Sequence, residues 1–315
     1  MPISNAKKKV AILLSSYNGE NYIGEQLNSL LNIKSRYELN IHIRDDGSTD
    51  GTPILIREFK SNYSTVFIHQ CENVGVIKSF LWLVSHVSEY DYYAFCDQDD
   101  VWQSLKIEAA IDKLEQHSED IPLLYCSAYD YVDQDLNFIG RFTSLSDFSL
   151  NNLMIENCAP GCTMVFNASL RRKFLSLDIP NISERIVMHD WFFLLLGLHN
   201  GKVIYDNNSY LLYRQHANNV VGKKSGFFAI LNSKIKQFIK ESKRPKHLLC
   251  QQNELLMMCS SDNTKSEMYL LTSKFVNSQG SIVSRIKYAL TGNVKRVKKL
   301  DDYVFKILFV FGYYK

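Results

Sequence analysis

Acidic side chains crowd one short stretch of this chain. In Phe95-Cys96-Asp97-Gln98-Asp99-Asp100-Val101-Trp102, three carboxylates fall within four residues, directly behind an apolar run. Groups so close repel one another and lose hydration unless a cation or hydrogen bonds compensate. A hard divalent ion, Mg2+ or Mn2+, takes one or two such carboxylates and completes its shell with water and phosphate oxygens. An exposed acidic loop is the plainer alternative.

Four other groups carry possible chemistry, each with a plainer reading beside it. Ser15-Ser16-Tyr17-Asn18-Gly19-Glu20 offers unpaired N–H groups to an anion and a flat ring to a base, or is a capped turn. Arg44-Asp45-Asp46-Gly47-Ser48-Thr49-Asp50 is a turn with a helix cap, or presents a carboxylate to a base or ribose. Met188-His189-Asp190-Trp191 opens an apolar helix, where Asp190 is either an N-terminal cap or a general base toward a hydroxyl. Tyr213-Arg214-Gln215-His216 brings an arginine suited to a diphosphate and a histidine suited to a metal shell. A core histidine is the simpler reading of His216 alone.

These groups need a scaffold that delivers them to one place. Val10 to Ser15, Leu39 to Arg44, Val66 to His69 and Tyr92 to Cys96 read as strands, separated by helical patterns over Glu20 to Leu31, Thr52 to Phe59 and Val76 to Val87. That alternation predicts an α/β fold with a mostly parallel sheet, which binds ligands at the carboxyl ends of its strands. A helix from Val101 to about Glu115 should follow, then strands at Leu123 to Tyr131 and Thr163 to Asn167. A helix from Trp191 and strands near Val203 and Tyr210 complete the sheet-bearing domain, residues 1–222. Residues 223–315 read as mainly helical.

With 315 residues, 46% of them hydrophobic and 22% charged, a buried core is available and wholesale disorder is excluded. The seven cysteines are scattered without C-x-x-C spacing, which predicts reduced thiols. No secretory signal or apolar run of about 18–20 residues is visible, so a cytoplasmic protein is expected. The net charge of +3 hides a division. Residues 1–222 hold 18 basic against 27 acidic side chains, whereas 223–315 hold 18 against 6. A basic tail of that kind suits an anionic surface.

Taken together, SYNGE, IRDDGSTDGT, NVGVIKSF, FCDQDDVW, PGCTMVFN, MHDWF and YRQHANNVVG resemble, in their order, the family 2 glycosyltransferases of the GT-A fold. GVIKSF, DQDDVW, MHDW and YRQH-x-NNV-x-G look more specifically like bacterial rhamnosyltransferases of cell-wall or surface polysaccharide synthesis. The resemblance covers about residues 8 to 222. It departs at Cys96, where Ser is usual, and at Gln103-Ser104, which replaces Leu-Pro.

The resemblance implies a GT-A, Rossmann-like sheet with a helical, basic extension, and an inverting, metal-dependent sugar transfer. Tyr17, Glu20, Asp46, Lys78, Asp97 and Arg214 would bind the nucleotide-sugar, Asp99 and His216 the Mg2+ or Mn2+, and Asp190 would be the general base. The donor implied is dTDP-β-L-rhamnose, with a UDP-hexose as the alternative. The acceptor implied is a polyprenyl-diphosphate-linked saccharide at the inner face of the plasma membrane. The basic tail would then rest peripherally on an anionic membrane surface, with the aromatic Tyr303 to Tyr314 segment at headgroup level. Packing of that segment on the body, or on a second copy in a homo-oligomer, is the competing arrangement. A catalytically silent binder of nucleotide-sugar or polyanion is the competing class; it has use for Asp99 but none for a base at Asp190. Without an aromatic-interleaved basic strand or a nucleic-acid motif, nucleic acid is not an expected partner.

Overall fold

Val10 to Leu14 are wholly buried, and a strand hidden on both faces must sit inside a sheet layered by helices. The computed structural model describes residues 7–143, 149–178, 182–215, 247–292 and 294–315. In chain order these form β1 (Lys9–Ser16), α1 (Ile23–Leu31), β2 (Glu38–Asp46), α2 (Thr52–Asn62), β3 (Val66–Cys71), α3 (Val76–His86), β4 (Tyr92–Cys96), β5 (Val101–Trp102) and α4 (Lys106–Leu114). There follow β6 (Leu123–Val132), β7 (Phe138–Phe142), α5 (Leu150–Leu153), β8 (Val165–Asn167), α6 (Ala168–Leu175), α7 (His189–Asn200) and β9 (Lys202–Arg214). Four helices close the chain: α8 (Leu248–Cys259), α9 (Glu267–Asn277), α10 (Ile282–Thr291) and α11 (Lys299–Val310).

The sheet runs β3-β2-β1-β4-β8-β6-β9-β5, with β7 added to β6. Strands β3, β2, β1 and β4 are mutually parallel, and β8 turns the sheet antiparallel. Ser16 lies opposite Asp45, and Leu14 opposite Cys96, so the carboxyl ends of β1, β2 and β4 share one edge. Helix α1 is held there by Ile23, Leu27 and Leu30, which recur at helical spacing and are buried. Each such aliphatic side chain contributes about 1.5–3 kcal/mol on burial.

Two expectations change. Val101–Trp102 does not begin a helix: it pairs antiparallel with Leu211–Leu212 of β9, a partner over a hundred residues away, and α4 starts only at Lys106. The strands expected near Val203 and Tyr210 are one, β9, parallel to β6 with register shifts along it. All seven cysteines are free, as expected.

The chain divides into two compact units. The first comprises the described parts of Met1–Ser144, Ala159–Asp178 and Met188–Gln215 and holds the whole sheet. The second takes the described parts of Leu145–Cys158, Ile179–Val187 and His216–Lys315. Within it, the buried Asn253 donates to Met154 O at 3.1 Å, the Gln252 amide oxygen receives Val187 N–H at 2.9 Å, and Arg296 pairs with Glu156 at 3.2 Å. Ser266 and Ser281 cap α9 and α10. The boundary expected at Gly222, the basic residues Lys234, Lys236 and Lys240, and His216 lie outside the described residues. No helix among the described residues is long and apolar enough to cross a membrane.

Candidate functional site

The four residues after β4 turn sharply into β5, and this turn carries Asp97, Gln98, Asp99 and Asp100. Asp97 and Asp99 are partly buried, while Asp100 is only 1% exposed. Carboxylate atoms of Asp97 and Asp100 and the Cys162 sulfur lie within 4.8 Å of one another. Asp100 Oδ1 accepts the Arg214 backbone N–H at 3.2 Å, but its buried Oδ2 has no hydrogen-bond partner. An orphaned buried carboxylate oxygen costs energy, and it faces a second carboxylate. Burial, then the neighbouring Asp99 and Asp190 charges, push Asp97 up to about 7. Burial and the charges of Asp99 and Asp97 push Asp100 well above the carboxylate range.

That donor set fits a hard divalent cation, which two carboxylates and outer oxygens satisfy. Cys162 is the exception. Burial holds its thiol well above its ordinary range, and a protonated sulfur is a poor partner for Mg2+ or Mn2+. Asp99, expected to hold the metal, stands in the same turn, with its carbonyl accepting Arg214 Nε–H at 2.9 Å.

Asp190 reaches this cluster from the start of α7. Gly161 N–H donates to Asp190 Oδ2 at 2.9 Å, which ties the carboxylate to the Gly161–Thr163 turn that also carries Cys162. A Cβ at Gly161 would come within 3.0 Å of His189 Nε2 and 3.1 Å of Asp190 Cβ, so glycine permits the close approach. His189 is sandwiched instead in the core, stacked on Phe80 at 4.1 Å and edge-on to Phe95 at 5.0 Å. Burial lowers it to about 4, which leaves it neutral. The acidic turn and the α7 start, over ninety residues apart, therefore converge within one unit.

Tyr17, 48% exposed, stands on the same sheet edge. Gln98 binds it as a strand would: Oε1 accepts Tyr17 N–H at 2.9 Å and Nε2 donates to Tyr17 O at 3.1 Å. A side chain at Gly19 would collide with this amide. Glu20 accepts Gly51 N–H at 2.6 Å, and so supports the start of α2. Asp46 is buried and fully engaged. It takes Val74 and Gly75 N–H at 2.9 Å each and pairs with Arg44, holding the entry to α3, on whose exposed first turn Lys78 sits.

Arg214 is 2% exposed, and all three of its nitrogens are committed: to Asp99 O, Gln134 O and Glu25. It secures the acidic turn from below. Three residues without a predicted role also build the site: Gln98, Cys162 and Lys106. The Lys106 ammonium is buried beside Asp97 and Asp100, donates to Cys162 O and lies 3.8 Å from the Trp102 ring centroid; burial lowers it to about 8. Its signal was a lysine four residues behind Trp102, on a helix whose other buried positions are apolar.

Comparison with known proteins gives concordant findings. The profile described as "Glycosyl transferase family 2" matches residues 11–176. The dTDP-rhamnosyl transferase RfbG of Shigella flexneri is 34% identical over 225 residues, covering 69% of this chain and 76% of its own. The UDP-Glc:alpha-D-GlcNAc-diphosphoundecaprenol beta-1,3-glucosyltransferase WfgD of Escherichia coli is 26% identical over 167 residues, 52% of this chain and 62% of its own. Among solved structures, TarS 1-349 of S. aureus in complex with UDP superposes with a TM-score of 0.55 at 14% identity, over 96% of this chain and 80% of that one, a likeness of fold.

Proposed function

This chain belongs to glycosyl transferase family 2 and has the GT-A fold, and from that premise we propose that it transfers L-rhamnose from dTDP-β-L-rhamnose to a lipid-linked saccharide of surface polysaccharide synthesis. The observation that carries the catalytic part is the meeting of Asp190 with the Asp97–Asp100 turn through the Gly161 hinge. The rhamnosyl donor is supported by the likeness to RfbG, and the lipid-linked acceptor by the name of WfgD.

In this reading Tyr17 and the loop anchored by Asp46 receive the nucleoside, with Lys78 beside it. Asp97 and Asp100, with Asp99, hold the divalent ion; when bound it supplies Lewis-acid neutralisation of the departing diphosphate. Arg214 keeps those carboxylates in place from beneath. Asp190 accepts the proton of the acceptor hydroxyl as that oxygen attacks the anomeric carbon. The new glycosidic bond forms while the bond to the diphosphate oxygen breaks, its electron pair leaving with the nucleotide. One displacement from the opposite face inverts the centre, giving an α-L-rhamnoside.

Incubation with dTDP-, UDP- and GDP-sugars in Mg2+ or Mn2+, reading nucleotide release, tests the donor. Preference for dTDP-rhamnose is expected. Preference for a UDP-hexose would move the assignment to the second reading, which WfgD's UDP-glucose favours.

A further inference from the structure

Helix α11 is apolar on two opposite sides. Phe305 and Phe309 are buried, Phe309 against Phe275 and Tyr288 at ring distances of 5.4 and 5.1 Å. At 3.6 residues per turn, about 100° per residue, Leu300, Tyr303, Ile307 and Phe311 line up along the other side. All four are exposed, Phe311 by 78%. Helix α10 carries a similar exposed stripe, with none of its residues fully buried. Ile282, Val283, Ile286 and Leu290 occupy one arc of about 100°, and Leu290 is 80% exposed. Tyr288 faces the other way, and Arg285 Nε–H donates to Val310 O at 2.9 Å, which locks α10 to α11. A helix that has already buried one apolar stripe has no folding reason for a second.

The charges along α10 and leading into α11 have one sign; the acids of α11's first turn, Asp301 and Asp302, are partly buried, and Asp302 is paired with Lys306 at 2.8 Å. The eighteen residues from Ile282 to Lys299 include six basic and no acidic side chain. Lys287, Lys295, Lys298 and Lys299 are exposed. Exposed aliphatic and aromatic stripes edged by lysine are what an interfacial helix presents to a bilayer, its apolar face at the acyl boundary and its ammonium groups at anionic headgroups. An interface with a second copy would set these lysines against their own kind.

We propose that α10 and α11 form a docking face for an anionic lipid bilayer, with the exposed stripes of α10 and α11 inserted and the four lysines on the headgroups. This deepens the functional reading above and rests on its lipid-linked acceptor. The test uses the full chain and vesicles of phosphatidylglycerol and phosphatidylcholine in equal parts, against phosphatidylcholine alone. Wild type should cosediment with the anionic vesicles only, and added salt should release it. Ile286→Ser with Leu290→Ser and Ile307→Ser, and separately the four lysines changed to Gln, should each lower vesicle binding at least about tenfold. Nucleotide release from donor without lipid should persist in both variants, and failure of that release in wild type would strike the functional reading instead. Equal binding to neutral vesicles, no binding by wild type, or a concentration-dependent dimer in sedimentation equilibrium that the serine variant dissolves would overturn the bilayer as occupant.

Discussion

Two pairs of aspartates stand at the ends of β2 and β4, the strands that flank β1, and the molecule treats them oppositely. At the end of β2, Asp45 accepts from Ser16 and Ser48, and Asp46 from two backbone N–H groups and the buried Arg44. Both carboxylates are compensated locally, although the buried Arg44 Nε has no hydrogen-bond partner. At the end of β4, Asp97 and Asp100 share a small space with an orphaned oxygen and raised proton affinities. The same residue type is settled at one edge and only partly compensated, by the Lys106 ammonium, at the other. Incomplete compensation, rather than acidity, marks the reactive position.

The sharpest break of this contrast is Asp190→Asn. Turnover should fall about 10²–10⁴-fold while nucleotide binding persists; retained turnover in a single-turnover assay would remove Asp190 from the base role. Next, Arg44→Met should leave the buried Asp46 charge unpaired and lower unfolding free energy by about 3 kcal/mol in a urea titration. Asp100→Asn should do the reverse. It should keep or raise the urea midpoint at neutral pH, because a buried acid that must take up a proton on folding is replaced by a neutral amide, and weaken Mn2+ binding by calorimetry about tenfold or more. The smallest effect belongs to His42, on the settled strand, whose nitrogens meet His69 at 3.2 Å and Tyr90 at 2.8 Å. Burial, then the His69 charge, lowers it to about 4. Between an unfolded value near 6.5 and that figure the unfolded chain binds more protons, so stability falls as pH falls. His42→Gln should flatten the slope of unfolding free energy over that window by about 1 kcal/mol per pH unit.

The parallel half of the sheet was legible because β1 and β4 are short apolar runs and β2 alternates Leu39, Ile41 and Ile43 with polar residues. Val101–Trp102 was not, because only its distant partner in β9 makes it a strand. The single long β9 was missed for the same reason, whereas β7, whose partner β6 is adjacent in sequence, is short and largely exposed and carries no buried face to mark it. At the site, the crowded acids and Asp190 were visible through their own repulsion and their helix start. Arg214 read as a partner for a diphosphate, and nothing local reveals that its guanidinium also engages two carbonyls and Glu25. Gln98, Cys162 and Lys106 acquire meaning only from neighbours brought together by folding.

The Gln98 amide spans the gap between the β1 loop and the acidic turn with two hydrogen bonds to one residue, Tyr17. A displacement of the Tyr17 backbone is thus transmitted to the acidic turn, and the reverse holds by thermodynamic reciprocity. In the proposed reading, occupancy by an aromatic base and capture of an ion would be two readings of a single mechanical joint, and swapping its amide for an alkyl chain would leave two independent hands.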